Sequence, residues 1–230
     1  MAVDKFPSFS LAEFQSPPVV ETVLSLQFER LAGLRTVHFG LFWEKVKERF
    51  PNTEEQPPLP PAYERFPEPL PPANQVQFET IQAPILPRVW LIDNPGREII
   101  QIQNDRFIKN WRKSGPQDVY PHYEPVIKPA FKRDLRAFQM FLDEQKLGQM
   151  KVTQSEVTYV NHIVSGEGWH SFGDMERIFT FWRQPLSPAP NPEDIGVRVR
   201  FLLANRGDRS AAYMWRCNRP CAPPITSRCM

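Results

Sequence analysis

The stretch that decides the fold is the run 127–142, IKPAFKRDLRAFQMFL, which has the pattern of an amphipathic helix. Its apolar residues recur at steps of three and four, and this spacing places side chains on one face of an α-helix. Pro125 and Pro129 fall before or within the first turn, where a helix tolerates proline, and Gly148 marks the end. We predict that this helix anchors the core. The residues on its apolar face are Ile127, Phe131, Leu135, Phe138 and Leu142.

A strand and an earlier helix are predicted upstream of this run. Val20 to Phe28 alternates apolar with polar residues, which is typical of a half-buried strand, and Gly33 follows it. Thr36 is a candidate N-cap for a helix with apolar residues at helical spacing, and Pro51 ends that helix.

Further strands lie on both sides of the 127–142 helix. Residues 89–93 and 98–110 are predicted to form a hairpin around the turn signal Asp93-Asn94-Pro95-Gly96. Within the second segment, Ile100 and Ile102 are expected to face the core, and the intervening polar residues to face outward. The remaining predicted strands are 151–163, 177–184 and 197–204.

This order of elements predicts the fold class. Helices followed by runs of consecutive strands favour an α+β protein with a mainly antiparallel sheet and two helices packed on one face. The sequence divides into two related units, each a helix followed by strands. A strand–helix alternation typical of a Rossmann fold or a barrel is missing from the pattern.

Proline content determines the predicted domain organisation. The 230 residues include 26 prolines against 10 glycines, and the segment 51–87 holds 11 of the prolines. We expect a leader at 1–18, a single α+β domain at 19–205 crossed by the proline-rich segment 51–87, and an irregular tail at 206–230. The run Pro57-Pro58-Leu59-Pro60-Pro61 could dock in an aromatic groove or could simply drape over the core.

Charge and composition limit the classes of function. The net charge is +2, which disfavours a dedicated nucleic-acid-binding protein, although a local patch of arginines remains an alternative. No run reaches the length of a membrane span, and the N-terminus has no apolar core typical of a signal peptide. The three cysteines are confined to residues 217–229, so we expect no disulfide framework and a cytoplasmic location. The arginines of that patch are Arg106, Arg112, Arg198 and Arg200.

Known catalytic motifs are missing from the sequence. It contains no phosphate-binding glycine loop and no nucleophile elbow, and its four histidines are scattered. We therefore expect no metal and no cofactor. The acids Asp93, Glu98 and Asp105 share one hairpin, but a solvated surface explains them better than a nuclease site.

The richest polar segment lies on the strand predicted at 98–110 and at its end. It combines amides, charges and aromatic rings, which can bind a ligand or partner through hydrogen bonds and stacking. The alternative is a structural network that specifies the fold, with Trp111 packed on the second helix. The candidate ligand- or partner-binding residues are Gln101, Gln103, Asn104, Asp105, Arg106, Asn110, Trp111 and Arg112.

Several motifs resemble a sporadically distributed family of bacterial proteins of about this length that have no assigned function. The N-terminal motif is PPVVE at 17–21, leading to Gln27-Phe28, and the central motif is QxQNDRFIxNWR at 101–112. Trp90-Leu91 and Tyr120-Pro121-x-Tyr123 complete the similarity, which spans about residues 16–205. Sporadic distribution implies carriage in accessory or phage-defence gene clusters, and the resemblance implies no reaction or cofactor.

The end of the chain departs from that family, whose members resemble one another through a further C-terminal helix. Here the composition changes sharply after Tyr213, which indicates a truncated or frame-shifted tail. We expect a non-catalytic binding module for a small molecule or a protein partner. The alternative is an enzyme with an unrecognised polar site on the 98–112 hairpin strand.

Overall fold

The computed structural model describes residues 16–60, 86–166, 168–179, 197–205 and 208–217. The described residues up to Asn161 form one compact unit, and those from His162 onward form a second. We describe the two units separately.

The first unit is built on a six-stranded sheet in the order β2–β3–β4–β5–β1–β6. All five strand pairs are antiparallel, which confirms the α+β class and the predicted sheet type. A π-helical turn at Tyr123–Ile127 leads into the second helix. The elements are β1 (Val19–Phe28), α1 (Thr36–Val46), β2 (Asn52–Gln56), β3 (Arg88–Ile92), β4 (Glu98–Gln103), β5 (Arg106–Arg112), α2 (Lys128–Glu144) and β6 (Val152–Asn161).

Both helices pack on one face of the sheet, as predicted. Phe138 of α2 is fully buried, and its ring lies 5.2 Å from Phe42 of α1 and 5.4 Å from Phe107 of β5. On the predicted apolar face of α2, Ile127, Phe138 and Leu142 are buried, while Phe131 and Leu135 are partly buried against the core. That the two helices belong to related units stays a prediction.

The start of helix α1 differs from the prediction, in which Thr36 is the N-cap. Thr36 is the first helical residue, and Arg35 occupies the N-cap position. The backbone N–H of Arg35 donates to Nδ1 of His38 at 2.8 Å. His38 thus accepts the N–H of the N-cap residue itself, as the N3 side chain of a capping box does, whereas a Thr36 cap would have accepted an N–H from the first turn of the helix.

The strand predicted at 98–110 is in fact two strands. A two-residue turn at Asn104-Asp105 separates β4 from β5, and Gln103 pairs with Arg106 across it. The prediction assumed one continuous strand whose even-numbered residues face the core. Beyond the turn, the odd-numbered residues face the core instead. Cross-strand partners share a face, so Lys109, opposite Ile100, faces the helices.

The proline-rich segment contains a strand that the sequence did not predict. Asn52–Gln56 has no proline and pairs with β3 at the edge of the sheet as β2. Prolines elsewhere in the segment led to the wrong conclusion that all of it is irregular. Residues 61–85 lie outside the described part of the chain.

The second unit contains a short helix and a two-stranded antiparallel sheet. The helix is α3 (Met175–Ile178), and the strands are β7 (Val197–Asn205) and β8 (Asp208–Cys217). The strand predicted at 177–184 is therefore wrong where it overlaps α3, and 180–184 lie outside the described residues. Strand β7 matches the prediction, and β8 lies within the segment that the sequence predicts to be irregular.

Across the described ranges, no helix has both the length and the apolar character needed to span a bilayer.

Candidate functional site

The sheet face opposite the helices carries most of the predicted polar residues. Gln101 and Asn110 are both only 5% exposed, and Nε2 of Gln101 donates to Oδ1 of Asn110 at 2.7 Å. Asn110 Nδ2 donates in turn to Oε1 of Glu21 at 2.6 Å, and Arg88 Nη1 donates to Oε1 of Gln101 at 2.6 Å. This network joins β3, β4, β5 and β1, and the oxygen and the nitrogen of both amides each take part in a hydrogen bond within the sheet.

A second group on the same face holds a piece of the proline-rich segment. The backbone N–H of Leu59 donates to Oε1 of Gln103 at 2.8 Å, and Nε2 of Gln103 donates to the Leu59 carbonyl at 2.9 Å. Nη2 of Arg106 donates both to Oε1 of Gln27, at 2.7 Å, and to the carbonyl of Pro60. We call Gln103 and Arg106, with the Leu59-Pro60 backbone that they hold, the proline clasp.

The turn between β4 and β5 supports the proline clasp. Oδ1 of Asp105 accepts a hydrogen bond of 2.9 Å from Nε2 of Gln103 and so orients the amide. Burial raises the pKa of Asp105, and the positive charge of Arg106 partly offsets that effect. Asn104, the other residue of this turn, accepts the Leu31 N–H at its backbone carbonyl, at 2.9 Å.

Two predicted site residues lie elsewhere. Trp111 is on the helix-facing side, where its ring lies 5.6 Å from Tyr120 in a T-shaped contact and packs with Ile127. Arg112 lies at the end of β5, and its Nε donates to the carbonyl of Gly96 at 2.9 Å in the β3–β4 turn. The structure therefore gathers the candidates into two groups on one face and separates Trp111 and Arg112 from them.

A buried charge cluster on the opposite face was not part of the predicted site. Nζ of Lys109 lies 2.8 Å from Oδ2 of Asp134 on α2 and 2.6 Å from Oε2 of Glu98, and Arg49 Nη2 lies 2.8 Å from Oδ1 of Asp134. Asp134 is fully buried and Lys109 is 2% exposed. Burial acts to raise the pKa of Asp134, but Lys109 and the hydrogen bonds from Arg133, Lys109 and Arg49 outweigh it and lower that pKa.

A signal for this cluster was present in the sequence. Asp134 lies three residues after Phe131 and four before Phe138, so it falls on the apolar face of the helix. A carboxylate in such a position must be paired, because burying an unpaired charge is costly. That argument predicts a buried cation facing the helix, which the structure supplies as Lys109.

Within the described ranges, no three histidine, cysteine, aspartate or glutamate side chains come together as a metal site would need. The polar residues on β4 and β5 are engaged with other parts of the chain. Their contacts agree with the structural alternative considered from the sequence. A role in binding a ligand stays a prediction.

We expect Gln103→Ala to lower the free energy of unfolding by about 1–3 kcal/mol, because it leaves the Leu59 N–H and carbonyl without their partner. Chemical denaturation at 25 °C measures this change. The matched control is Gln56→Ala on β2, whose amide makes an exposed contact with Glu54 and should change stability by less than about 0.5 kcal/mol. Equal effects of the two substitutions would show that the proline clasp does not contribute to stability.

Comparison with known proteins adds no relative. No family model matches the chain, no curated protein is similar to it, and no solved structure matches its fold. The resemblance suggested by the two sequence motifs therefore stays a prediction.

Proposed function

We propose that this protein is a non-catalytic binding module for a protein partner, and that β6 is its contact surface. The observation that carries the proposal is that β6, ten residues long, lies at the edge of the sheet that the described residues form. An edge strand presents a row of unpaired N–H and carbonyl groups that can pair with another strand. An extended segment of a partner would thus add to the sheet by β-augmentation.

The side chains of β6 support this assignment. Four of its apolar residues are exposed, and their exposed fractions lie between 41% and 51%. The strand contains no proline and no lysine, which are residues that commonly block edge pairing, and Glu156 is its only charged residue. The exposed apolar residues are Val152, Val157, Tyr159 and Val160.

These features favour a protein over a small molecule as the occupant. A small ligand requires a concave site that encloses most of its surface. Strand β6 instead offers a long backbone edge with apolar side chains beside it. The partner that matches such an edge is an extended, largely uncharged polypeptide segment.

The resemblance suggested by the motifs provides candidate partners. If the gene lies in an accessory or phage-defence cluster, the partner is encoded by a neighbouring gene and meets this protein in the cytoplasm. Purified products of the neighbouring genes are therefore the probes for the test below.

The test places a photo-crosslinking residue at Ser155 on β6 or, as the control, at Thr53 on β2 at the opposite edge of the sheet. We expect one purified neighbour to crosslink to the β6 position only. Val157→Lys should weaken its affinity at least tenfold, because the lysine introduces a charge into the exposed strand, as natural edge strands do to prevent pairing. Titration calorimetry measures the affinity.

Met140→Lys on the exposed side of α2 is the matched control, since it adds the same charge away from β6. Its affinity should equal that of the unmodified protein. Crosslinking at both edges, or undiminished binding by Val157→Lys, would show that β6 is not the interface.

For the alternative function, an enzyme with a polar site on the 98–112 hairpin strand, the Lys109 charge cluster is the arrangement to consider. Glu98 and Asp134 both contact Nζ of Lys109, so two acids do lie close together. Their charges are, however, neutralised by Lys109, Arg49 and Arg133, and the adjacent depression beside Trp111 is shallow. A carboxylate whose pKa is lowered by cations is a poor general base, so this arrangement favours a structural role.

A further inference from the structure

The proline clasp binds the one residue of the proline run that can donate a backbone hydrogen bond. Residues 57–61 read PPLPP, and proline has no backbone N–H, so Leu59 alone in this run has one. Oε1 of Gln103 accepts that N–H at 2.8 Å. The position of the single non-proline residue therefore sets the register in which the segment lies on the sheet.

The hydrogen bonds between the proline clasp and the described part of the segment go to its backbone. Gln103 binds both the N–H and the carbonyl of Leu59, and Arg106 binds the carbonyl of Pro60. The side chains of Pro57, Pro58 and Pro60 are exposed. Because no segment side chain is read by these hydrogen bonds, another peptide with the same pattern of N–H groups offers the same contacts.

The protein side of the proline clasp is a built site. Gln103 is 4% exposed and Arg106 is 8% exposed. Asp105 orients the amide of Gln103, and Gln27 orients the guanidinium of Arg106. Donors and acceptors that are held in position before binding lose little conformational entropy when a ligand arrives.

We propose that the proline clasp is a binding site for proline-rich peptides in which one non-proline residue is flanked by prolines, and that residues 57–60 are its resident occupant. Such peptides adopt the polyproline II conformation before binding, which lowers the entropic cost of recognition. This proposal does not depend on β6, which lies at the edge of the sheet.

The resident segment should hinder binding of a free peptide. A short tether gives the attached segment an effective concentration on the order of millimolar, so a weak free ligand competes poorly. Weakening the resident segment at one hydrogen bond therefore exposes the site without altering Gln103 or Arg106.

The test compares Leu59→Pro with Leu59→Ala. Leu59→Pro removes the N–H and leaves a run of five prolines, whereas Leu59→Ala keeps the N–H and is the matched control. The probe is a fluorescein-labelled peptide of sequence QPPLPPA, followed by fluorescence anisotropy. We expect this peptide to bind Leu59→Pro at least tenfold more tightly than Leu59→Ala.

Two further measurements test whether binding requires the central N–H group of the peptide and the side chain of Gln103. A second labelled peptide, QPPPPPA, has no N–H at the central position and should not bind Leu59→Pro. Adding Gln103→Ala to Leu59→Pro should abolish binding of QPPLPPA while thermal unfolding remains cooperative.

If Leu59→Pro fails to fold, the variant with residues 57–60 replaced by Gly-Ser-Gly-Ser takes its place in every comparison. A folded variant that does not bind QPPLPPA would overturn the proposal, as would equal binding of the two peptides. Either result would mean that the proline clasp only fastens its own segment.

Discussion

Phe138→Ala should lower the free energy of unfolding by about 3–5 kcal/mol, one of the two largest effects that we expect from a single substitution. Phe138 is fully buried, and its ring contacts Phe42, Phe107 and Phe141, which come from α1, β5 and α2. The substitution removes the buried ring and leaves a cavity where the two helices meet the sheet. Urea unfolding at 25 °C measures the loss.

Met140→Ala is the control for that experiment. Met140 lies two residues further along α2, but its side chain is 54% exposed. The change should alter stability by less than about 0.5 kcal/mol, because alanine is a good helix former and little packing is lost. Similar losses for the two substitutions would place Phe138 outside the core and contradict the described packing of α2.

Asp134→Asn should cost about 3–5 kcal/mol, because it leaves Lys109 buried with fewer opposite charges. Asparagine has nearly the size of aspartate, so the substitution tests charge rather than packing. Lys109 would retain Glu98, whose carboxylate is one-third exposed. Asp143→Asn, the same change at an exposed position of α2, is the matched control and should have little effect.

The cost of Asp134→Asn should depend on pH in a defined direction. Because the pKa of Asp134 is lowered in the folded protein, its contribution to stability is present above the unfolded value of about 3.9 and is lost as pH falls through the lower, folded value. The difference in unfolding free energy between the unmodified protein and Asp134→Asn should therefore shrink below about pH 4. A difference that stays constant across that range would show that Asp134 is not the titrating group.

Elements with a strong local period could be predicted from the sequence. The apolar spacing of 127–142 and the alternation of 20–28 arise within single segments, and both are regular elements in the structure. The β4–β5 turn was missed because Asn104-Asp105 contains no glycine and interrupts a run of strand-forming residues. Missing one turn placed Lys109 on the same face as Gln101, although the two side chains lie on opposite faces.

The contacts of the candidate site could not be predicted from the sequence, because they join residues that are far apart along the chain. Polar residues on β4 and β5 could be recognised by type, but their partners are remote in sequence. Leu59 is 44 residues from Gln103, and Gln27 is 79 residues from Arg106. Local pattern has no information about such pairings, so the proline run and the polar strand appeared as two unrelated features.

The burial of strand β5 limits which substitutions this part of the sequence can accept. Six of its seven residues are buried, and they alternate between the proline clasp, the aromatic core, the charge cluster and the amide network. Neighbouring residues of β5 therefore contact different parts of the molecule. A shift of register by one residue would move every one of these side chains to the opposite face of the sheet. A lineage of such proteins could lengthen its loops or alter its edge strands step by step, whereas a successful change in β5 would need compensating changes on both sides of the sheet.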